Sequence, residues 1–427
     1  MFYPNYFHQL KKAIPLLMQE SGIPGLSISV CDKEKVVFAD TYGFTDLSKT
    51  IPVDEKTQFA MMSISKTYTA FGFMLAVQDN KIALDDPVKK FMPDFSVRHK
   101  DGEDYSPVIT FRQCLTHYTG LRHEPPIGNN WEPYNGTFDE HINSINGTFL
   151  RFKPGEQFSY SNMGIDIAAY ALGKIYDMPF EDYMQEKVFI PLEMNNSTFN
   201  QDKFITRTDT AIGHAYKKSL EKNPVKVLGA GGMYSCPDDM THFIRCILNK
   251  GIYNGRQIIK QDILEQMYSK YPESDEWQYN LGVNVGFIKK RAILNHCGGG
   301  YGFLTAQDIV LGGGLGAAIV TNAVLHDKYI QICRNIWDDI FDLQDAGKTD
   351  CEPVSDNYES FFGVYEATTE GVTFKKAVVP RNGAIYCGNQ KLEHYSGNLY
   401  FNENNDTIEF AKDGIICDNI MFRRCSD

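Results

Sequence analysis

The sequence predicts an α+β fold in which two distant stretches share one antiparallel sheet, followed by a small all-β, barrel-like domain. Three observations predict it. Apolar–polar alternation stands near the start, in "GLSISVCD" and "KVVFADTYGF", and strand-like runs return from Tyr279 onward. The long segment between them carries helical periodicity instead. Beyond a polar stretch, Gln344 to Asn357, only short strands between Gly and Asn turns remain.

Taken in order, "MFYPNYFHQLKKAIPLLMQESG" reads as an amphipathic helix. It lacks the basic start, long apolar core and small-residue cleavage site of an export signal. The two alternating stretches, parted by a Lys/Asp/Glu turn, read as a hairpin. Helical periodicity marks Ser65 to Gln78, Ile165 to Ile175 and Pro237 to Leu248, divided by Pro- and Gly-rich loops. "YNLGVNVGFI", "AILNHC", "GFLTAQDIV" and "LGAAIVTN" then supply strands for the same sheet as the hairpin. "YIQICRNIWDDIFDL" closes this part as a helix. The expected organisation is a first domain over 1–343, a linker over 344–357 and a β domain over 358–427. The strands of that last domain are "FFGVYEA", "VTFKKAVV", "AIYCG", "LYFN", "TIEFA" and "NIMFRR".

Composition narrows the function. The chain has 427 residues, 43% hydrophobic and 22% charged, which fits a globular protein and not a disordered one. A net charge of -12 repels nucleic acid and anionic membranes. No apolar run approaches the ~20 residues needed to span a bilayer. Ten cysteines are scattered from Cys31 to Cys425 with no CxxC pair. With no export signal, they point to reduced thiols and a cytoplasmic location, a trimmed exported form being the alternative. Sequons begin at Asn135, Asn146, Asn195, Asn196 and Asn405, and matter only in that second case.

Three short motifs carry chemistry. In "FAMMSISKTYTAFGFML", Ser63 precedes Lys66 by three residues where a helix is expected to begin, so one turn brings the amine to the hydroxyl. A helix N-terminus favours developing negative charge and disfavours a cation, and an uncharged amine beside a hydroxyl is a base beside a nucleophile. About two Ser-x-x-Lys matches are expected by chance in such a chain, and a second does occur, Ser219 to Lys222. In "PGEQFSYSNMGIDIAAYALG", Tyr160 and Asn162 stand at the start of a helical run. A tyrosine oxygen can relay a proton, and an asparagine amide can hold a lysine or a substrate amide. Tyr3-Pro4-Asn5 and Tyr400-Phe401-Asn402 repeat that triplet without such a setting. In "ILNHCGGGYGF", His296 ends a strand and Gly298 and Gly299 follow. Glycines there allow close substrate approach, and the N–H groups of Gly299 and Ser63 suit an oxyanion.

Ser-x-x-Lys, Tyr-x-Asn and His-x-Gly, in that order, resemble the signature set of the serine β-lactamase and penicillin-binding-protein superfamily. The nearest branch holds class C β-lactamases, D-aminopeptidases, DD-carboxypeptidase-like proteins and family VIII esterases. "KIALDDPVKKFMPDF", "ITFRQCLTHYTGL", "PLEMNNSTF" and "GAGGMYSCPDDMTHFI" look like that branch too, so the resemblance covers roughly residues 8 to 342. The tail resembles the small lipocalin-like domain of some of these hydrolases. The resemblance implies a β-lactamase/transpeptidase-like fold and acyl transfer through an acyl-enzyme on Ser63. Lys66 would be the partner base, Tyr160 the general acid/base and Asn162 a positioning amide. His296 would take the place of the third-motif lysine, and Gly299 would give the oxyanion N–H. No metal or organic cofactor is implied.

The third motif departs from that pattern. A histidine is only partly charged near neutral pH, and Cys297 replaces a hydroxyl that would bond a substrate carboxylate. Hydrolysis of β-lactams is therefore disfavoured against peptidase, amidase or esterase activity on less anionic substrates. Glu193 in "PLEM", where glycine is usual, is expected to be structural. The polar, aromatic segment Gly120 to Phe152 is expected to line the site as a substrate-selecting loop. No Gly-x-Ser-x-Gly elbow supports a Ser-His-Asp hydrolase, and His117, His123 and Glu124 lack a His-Glu-x-x-His partner for zinc. The expected enzyme is a serine peptidase or amidase of D-amino-acid or DD-peptide type on small-molecule or short-peptide substrates. A carboxylesterase is the alternative, and a non-catalytic penicillin-recognising or scaffold protein the rival of another class. Self-association into a homo-oligomer is left open.

Overall fold

A computed structural model describes residues 3–129, 136–225, 227–269, 277–369, 371–417 and 419–425. The sequon at Asn135 and part of the Gly120 to Phe152 segment lie outside the described residues. The chain divides into two compact units, Gly25–Leu325 and a second that joins Met1–Pro24 to His326–Asp427.

The first unit is built on a seven-stranded sheet. Its strands are β1 (Gly25–Asp32), β2 (Val36–Gly43), β3 (Gln278–Tyr279), β4 (Asn284–Ile288), β5 (Arg291–Gly300), β6 (Phe303–Val310) and β7 (Leu315–Thr321). They lie in the order β2-β1-β7-β6-β5-β4-β3, every neighbouring pair antiparallel. The early hairpin and the late strands therefore share one sheet, as the alternation predicts. Leu26 pairs with Thr321, which brings together residues that the whole helical middle separates in sequence.

The middle supplies the helices. Ser65–Gln78 is buried on every side from Ser65 to Ala76, which is why its sequence shows almost no polar stripe. Tyr68 packs on Phe243 at 4.3 Å and Phe73 on Phe111 at 5.2 Å between ring centroids. The Tyr68 hydroxyl donates to Gln307 Oε1 at 2.8 Å, tying this helix to β6. Asn162–Tyr176 starts at a Ser161 cap whose hydroxyl accepts from the Gly164 N–H. Pro237–Leu248, with proline at its first position, packs against β1 and β7.

In the second unit, eight strands from Gly363–Thr369 to Ile420–Arg424 form a closed barrel, each antiparallel to the next, with Tyr365 opposite Arg424 at the closure. Six of the eight are legible as alternating runs. Gln390–Ser396 is not, because Leu392 is its single buried residue, and Gly414–Cys417 is not, because its buried residues do not alternate. The helices Pro4–Ser21 and Lys328–Asp345 belong to this unit. Gln9 Oε1 accepts from the Gly383 N–H at 2.9 Å, and Arg381 grips Asp339 with two bonds of 2.7 and 2.9 Å. No helix among the described residues is long and apolar enough to cross a membrane.

Candidate active site

Ser63 stands half-buried in a tight turn, Met62–Ile64, between the short Phe59–Ala60 strand and the Ser65–Gln78 helix. The turn needs support, because Met62 adopts φ 51°, a conformation that costs a side-chain-bearing residue free energy. Neighbouring elements bolt it down. Ser65 Oγ donates to the Met62 carbonyl at 2.6 Å and accepts from the Met233 N–H at 3.0 Å. The Met61 N–H donates to the Met233 carbonyl at 2.8 Å, and Thr305 Oγ1 donates to the Met61 carbonyl at 3.0 Å.

Lys66 lies one turn on and is fully buried. Its Nζ is 3.1 Å from Ser63 Oγ and 2.8 Å from the Ala230 carbonyl. The same amine is 4.9 Å from the centroid of the Tyr160 ring. The first two motifs thus meet at one nitrogen. The decoy does not behave this way: Ser219 Oγ donates to Asp46, while Lys222 Nζ donates to the Arg207 carbonyl.

The turn before the Asn162 helix is folded around His117. The Ser161 N–H donates to His117 Nδ1 at 3.2 Å, and the Ser159 N–H to the His117 carbonyl at 2.8 Å. The imidazole sits between Tyr160 and Tyr279, at 4.4 and 4.5 Å from their ring centroids. Burial first, then the nearby Lys66, hold His117 well below the usual histidine range, so it is neutral. Asn162 Nδ2 donates to Glu124 Oε1 at 2.8 Å, and its Oδ1 is buried with no hydrogen-bond partner among the described residues. Asn162 therefore faces Glu124.

His296 and Gly298 lie on β5, opposite Gln307 and Thr305 of β6. Glycine is required at 298, because a Cβ there would stand 2.3 Å from the Met61 carbonyl and 2.4 Å from Thr305 Oγ1. The strand thereby closes against the backbone that carries Ser63. Gly299 points the other way and is exposed. The His296 ring is held by two bonds. Nδ1 donates to the Cys297 carbonyl at 2.8 Å, and Nε2 accepts from the Tyr279 hydroxyl at 3.1 Å. Desolvation pushes the Tyr279 hydroxyl well above its usual pKa, with Tyr160 close by adding to it, so it stays a donor. Burial, with Lys66 nearby, brings His296 down to about 3, against a small opposing effect of the Cys297 carbonyl. The partly charged histidine expected from the sequence is thus a neutral one. Cys297 alternates to the opposite strand face, with its thiol 3.9 Å from Asn295 Oδ1.

Tyr279 and Glu124 are site residues that sequence reasoning missed as such. Tyr279 reads only as a strand residue. Glu124 and His117 stand out only as a weak metal-ligand grouping, and no group of three or more such side chains among the described residues is placed to hold a metal. Glu193 is bonded to Asn254 and Arg256 at the surface, which accounts for it structurally.

A model of the Beta-lactamase family matches residues 10–330. Among curated proteins, Protein flp of Staphylococcus aureus (strain MW2) is 26% identical over 237 residues, 54% of this chain and 47% of that protein. The chain spans about half the length of the curated relatives it matches. The octameric penicillin-binding protein homologue from Pyrococcus abyssi superposes with a TM-score of 0.65 at 20% identity, covering 96% of this chain and 93% of that one. The D-amino acid amidase from Ochrobactrum anthropi SV3 gives a TM-score of 0.65 at 18% identity, covering 81% and 99%. Both are likenesses of fold.

Proposed function

Since the chain belongs to the Beta-lactamase family, we propose that it is a serine hydrolase that cleaves small amides or peptides through an acyl-enzyme on Ser63. One observation carries this reading: Lys66 Nζ lies 3.1 Å from Ser63 Oγ inside a buried pocket of hydrogen bonds. In the proposed reaction Ser63 Oγ attacks the substrate carbonyl while its proton passes to the lone pair of Lys66, which enters this step as the free amine. The N–H groups of Ser63 and Gly299 receive the oxyanion. Tyr160 hands a proton to the leaving nitrogen as the C–N bond breaks. Water then attacks the ester with the same groups acting in reverse, releasing the acid and restoring Ser63.

The substrate class follows from charge. Neutral His296 offers no cation to a substrate carboxylate, and the Cys297 thiol is on the other strand face. Glu124 beside Asn162 adds an acidic group that suits a substrate ammonium. A D-aminoacyl amide or a short peptide with a free amine matches this balance better than a β-lactam. Asn162 Oδ1, buried without a partner among the described residues, is the acceptor that a substrate amide N–H would satisfy if it reached it.

The test is intact mass after brief exposure to a fluorophosphonate and, separately, an activated ester, on wild type and Ser63→Ala. One adduct on wild type and none on the variant is expected. Equal labelling, or none, would favour a non-catalytic binding role. Turnover of D-aminoacyl amides, short acyl esters and a β-lactam then separates amidase from carboxylesterase.

A further inference from the structure

We propose that Asp166, held in turn by His141, is a positioning residue for Lys66 that acts through the backbone of Ala230. This rests on Lys66 being the base of Ser63.

The carbonyl that anchors Lys66 belongs to the turn Leu228–Gly231, which is followed by Gly232. Three of the four residues from 229 to 232 are glycine, so local preference fixes this backbone poorly. Bonds from outside do the fixing. Thr69 Oγ1 donates to the Gly229 carbonyl at 2.7 Å. The Ala230 N–H donates to Asp166 Oδ1 at 2.9 Å, and the Ala230 carbonyl accepts from Lys66 Nζ at 2.8 Å. The other Asp166 oxygen accepts from His141 Nε2 at 3.0 Å. The turn also lies hard against the Asp166 helix, since a Cβ on Gly229 would come within 2.4 Å of Ala169 Cβ.

Asp166 is fully buried, with Ile165 and Ile167 as its chain neighbours, and His141 is 2% exposed. Placing a carboxyl group there costs free energy that packing alone would avoid. Its two bonds recover the cost by holding a peptide that an apolar side chain could not reach. Asp166 also follows Asn162 by four residues, so one helix face presents Asn162 to the site and Asp166 to the Lys66 anchor. An unbroken line of bonds runs from His141 through Asp166 and Ala230 to Lys66 and Ser63. Release of Ala230 would leave Lys66 free to drift, and a drift of about 1 Å at a reacting group costs up to about 100-fold in rate.

Pre-steady-state acylation by p-nitrophenyl acetate tests this on wild type, Asp166→Ala, Asp166→Asn, Lys66→Ala and the Lys66→Ala/Asp166→Ala pair. Asp166→Ala is expected to acylate about 10- to 100-fold more slowly, with ester binding little changed. Asp166→Asn, which still offers Ala230 an acceptor, should return to within about threefold of wild type. The double variant should be no slower than Lys66→Ala alone, because one effect runs through the other. Multiplying effects in the double variant, or wild-type acylation by Asp166→Ala, would overturn the proposal. If Asp166→Ala does not fold, Asp166→Leu keeps the volume without the acceptor, and the same outcomes decide. Failure of wild type to label at Ser63 would instead sink the underlying assignment.

Discussion

The Lys66 amine and the Ser63 hydroxyl are held 3.1 Å apart by anchors on both sides: the Ala230 carbonyl behind the amine and the Met61–Met62 turn beneath the serine. Replacing Lys66 with Met keeps the buried stem and removes the base. Acylation of Ser63 should fall by about 100- to 10,000-fold, the range for loss of a general base. The orphaned Ala230 carbonyl should lower stability by about 1–3 kcal/mol. Stopped-flow acylation and urea titration read the two separately; a Met variant that acylates at the wild-type rate would remove Lys66 from the mechanism.

Tyr279→Phe keeps the ring that covers His117 and removes the hydroxyl that donates to His296 Nε2. A buried acceptor left without its donor costs about 1–3 kcal/mol, so the urea midpoint should drop while labelling of Ser63 survives. Tyr279→Ala should lose more, since it also opens a gap beside His117. Identical midpoints for Phe and wild type would mean the bond contributes nothing.

Acid should weaken the fold through His296 and His117. An unfolded histidine takes up a proton near pH 6.5, whereas folded His296 does so only near 3 and folded His117 also well below the usual value. Between those limits the unfolded chain binds more protons, so stability falls as pH falls from about 6.5 toward 3, by up to about 1.4 kcal/mol per pH unit per histidine. Urea midpoints at pH 7.5, 6 and 5 should show that slope, and His296→Gln should flatten it. The pH profile of acylation should carry no limb from His296 above pH 5.

Two adjacent glycines should behave oppositely. Gly298→Ala drives a Cβ to 2.3 Å from the Met61 carbonyl, backbone that cannot swing away, and should abolish Ser63 labelling or solubility. Gly299→Ala meets only Leu304 Cδ2, at 3.1 Å, on the exposed strand face. It should keep stability within about 1 kcal/mol. If both variants behave alike in a thermal melt, the close approach of β5 to the serine turn is not the constraint described.

Much of this was legible before any coordinates. The helices Ser65–Gln78 and Pro237–Leu248 have the bounds expected of them: Pro237 opens the second, and the turn residues Asp79, Asn80 and Asn249 follow the two ends. β1 and β2 read as strands by alternation, β6 and β7 as apolar runs buried on both faces, and the polar stretch before the barrel marks a change of pattern. Gln390–Ser396 escaped because a strand with one buried side chain has no alternation to read. His296 was visible as a residue but not as a neutral one: its charge depends on burial and on Lys66, 230 positions away in the chain.

The sequence by itself made the contact of Ser63 with Lys66 readable, through their i, i+3 spacing at the start of a helix. The same spacing at Ser219 and Lys222 yields no contact, so the surrounding bonds decide which pair meets. The sequence also determined the two-ended sheet, through the period of its apolar residues. Only the tertiary structure decided what stands around that pair. Tyr279 reaches His296, Glu124 reaches Asn162, and Asp166 reaches Ala230 across stretches of 17, 38 and 64 residues. Such contacts carry no period and no fixed spacing. They exist because close packing of the helices on the sheet brings these buried polar groups to partners that only the fold places beside them.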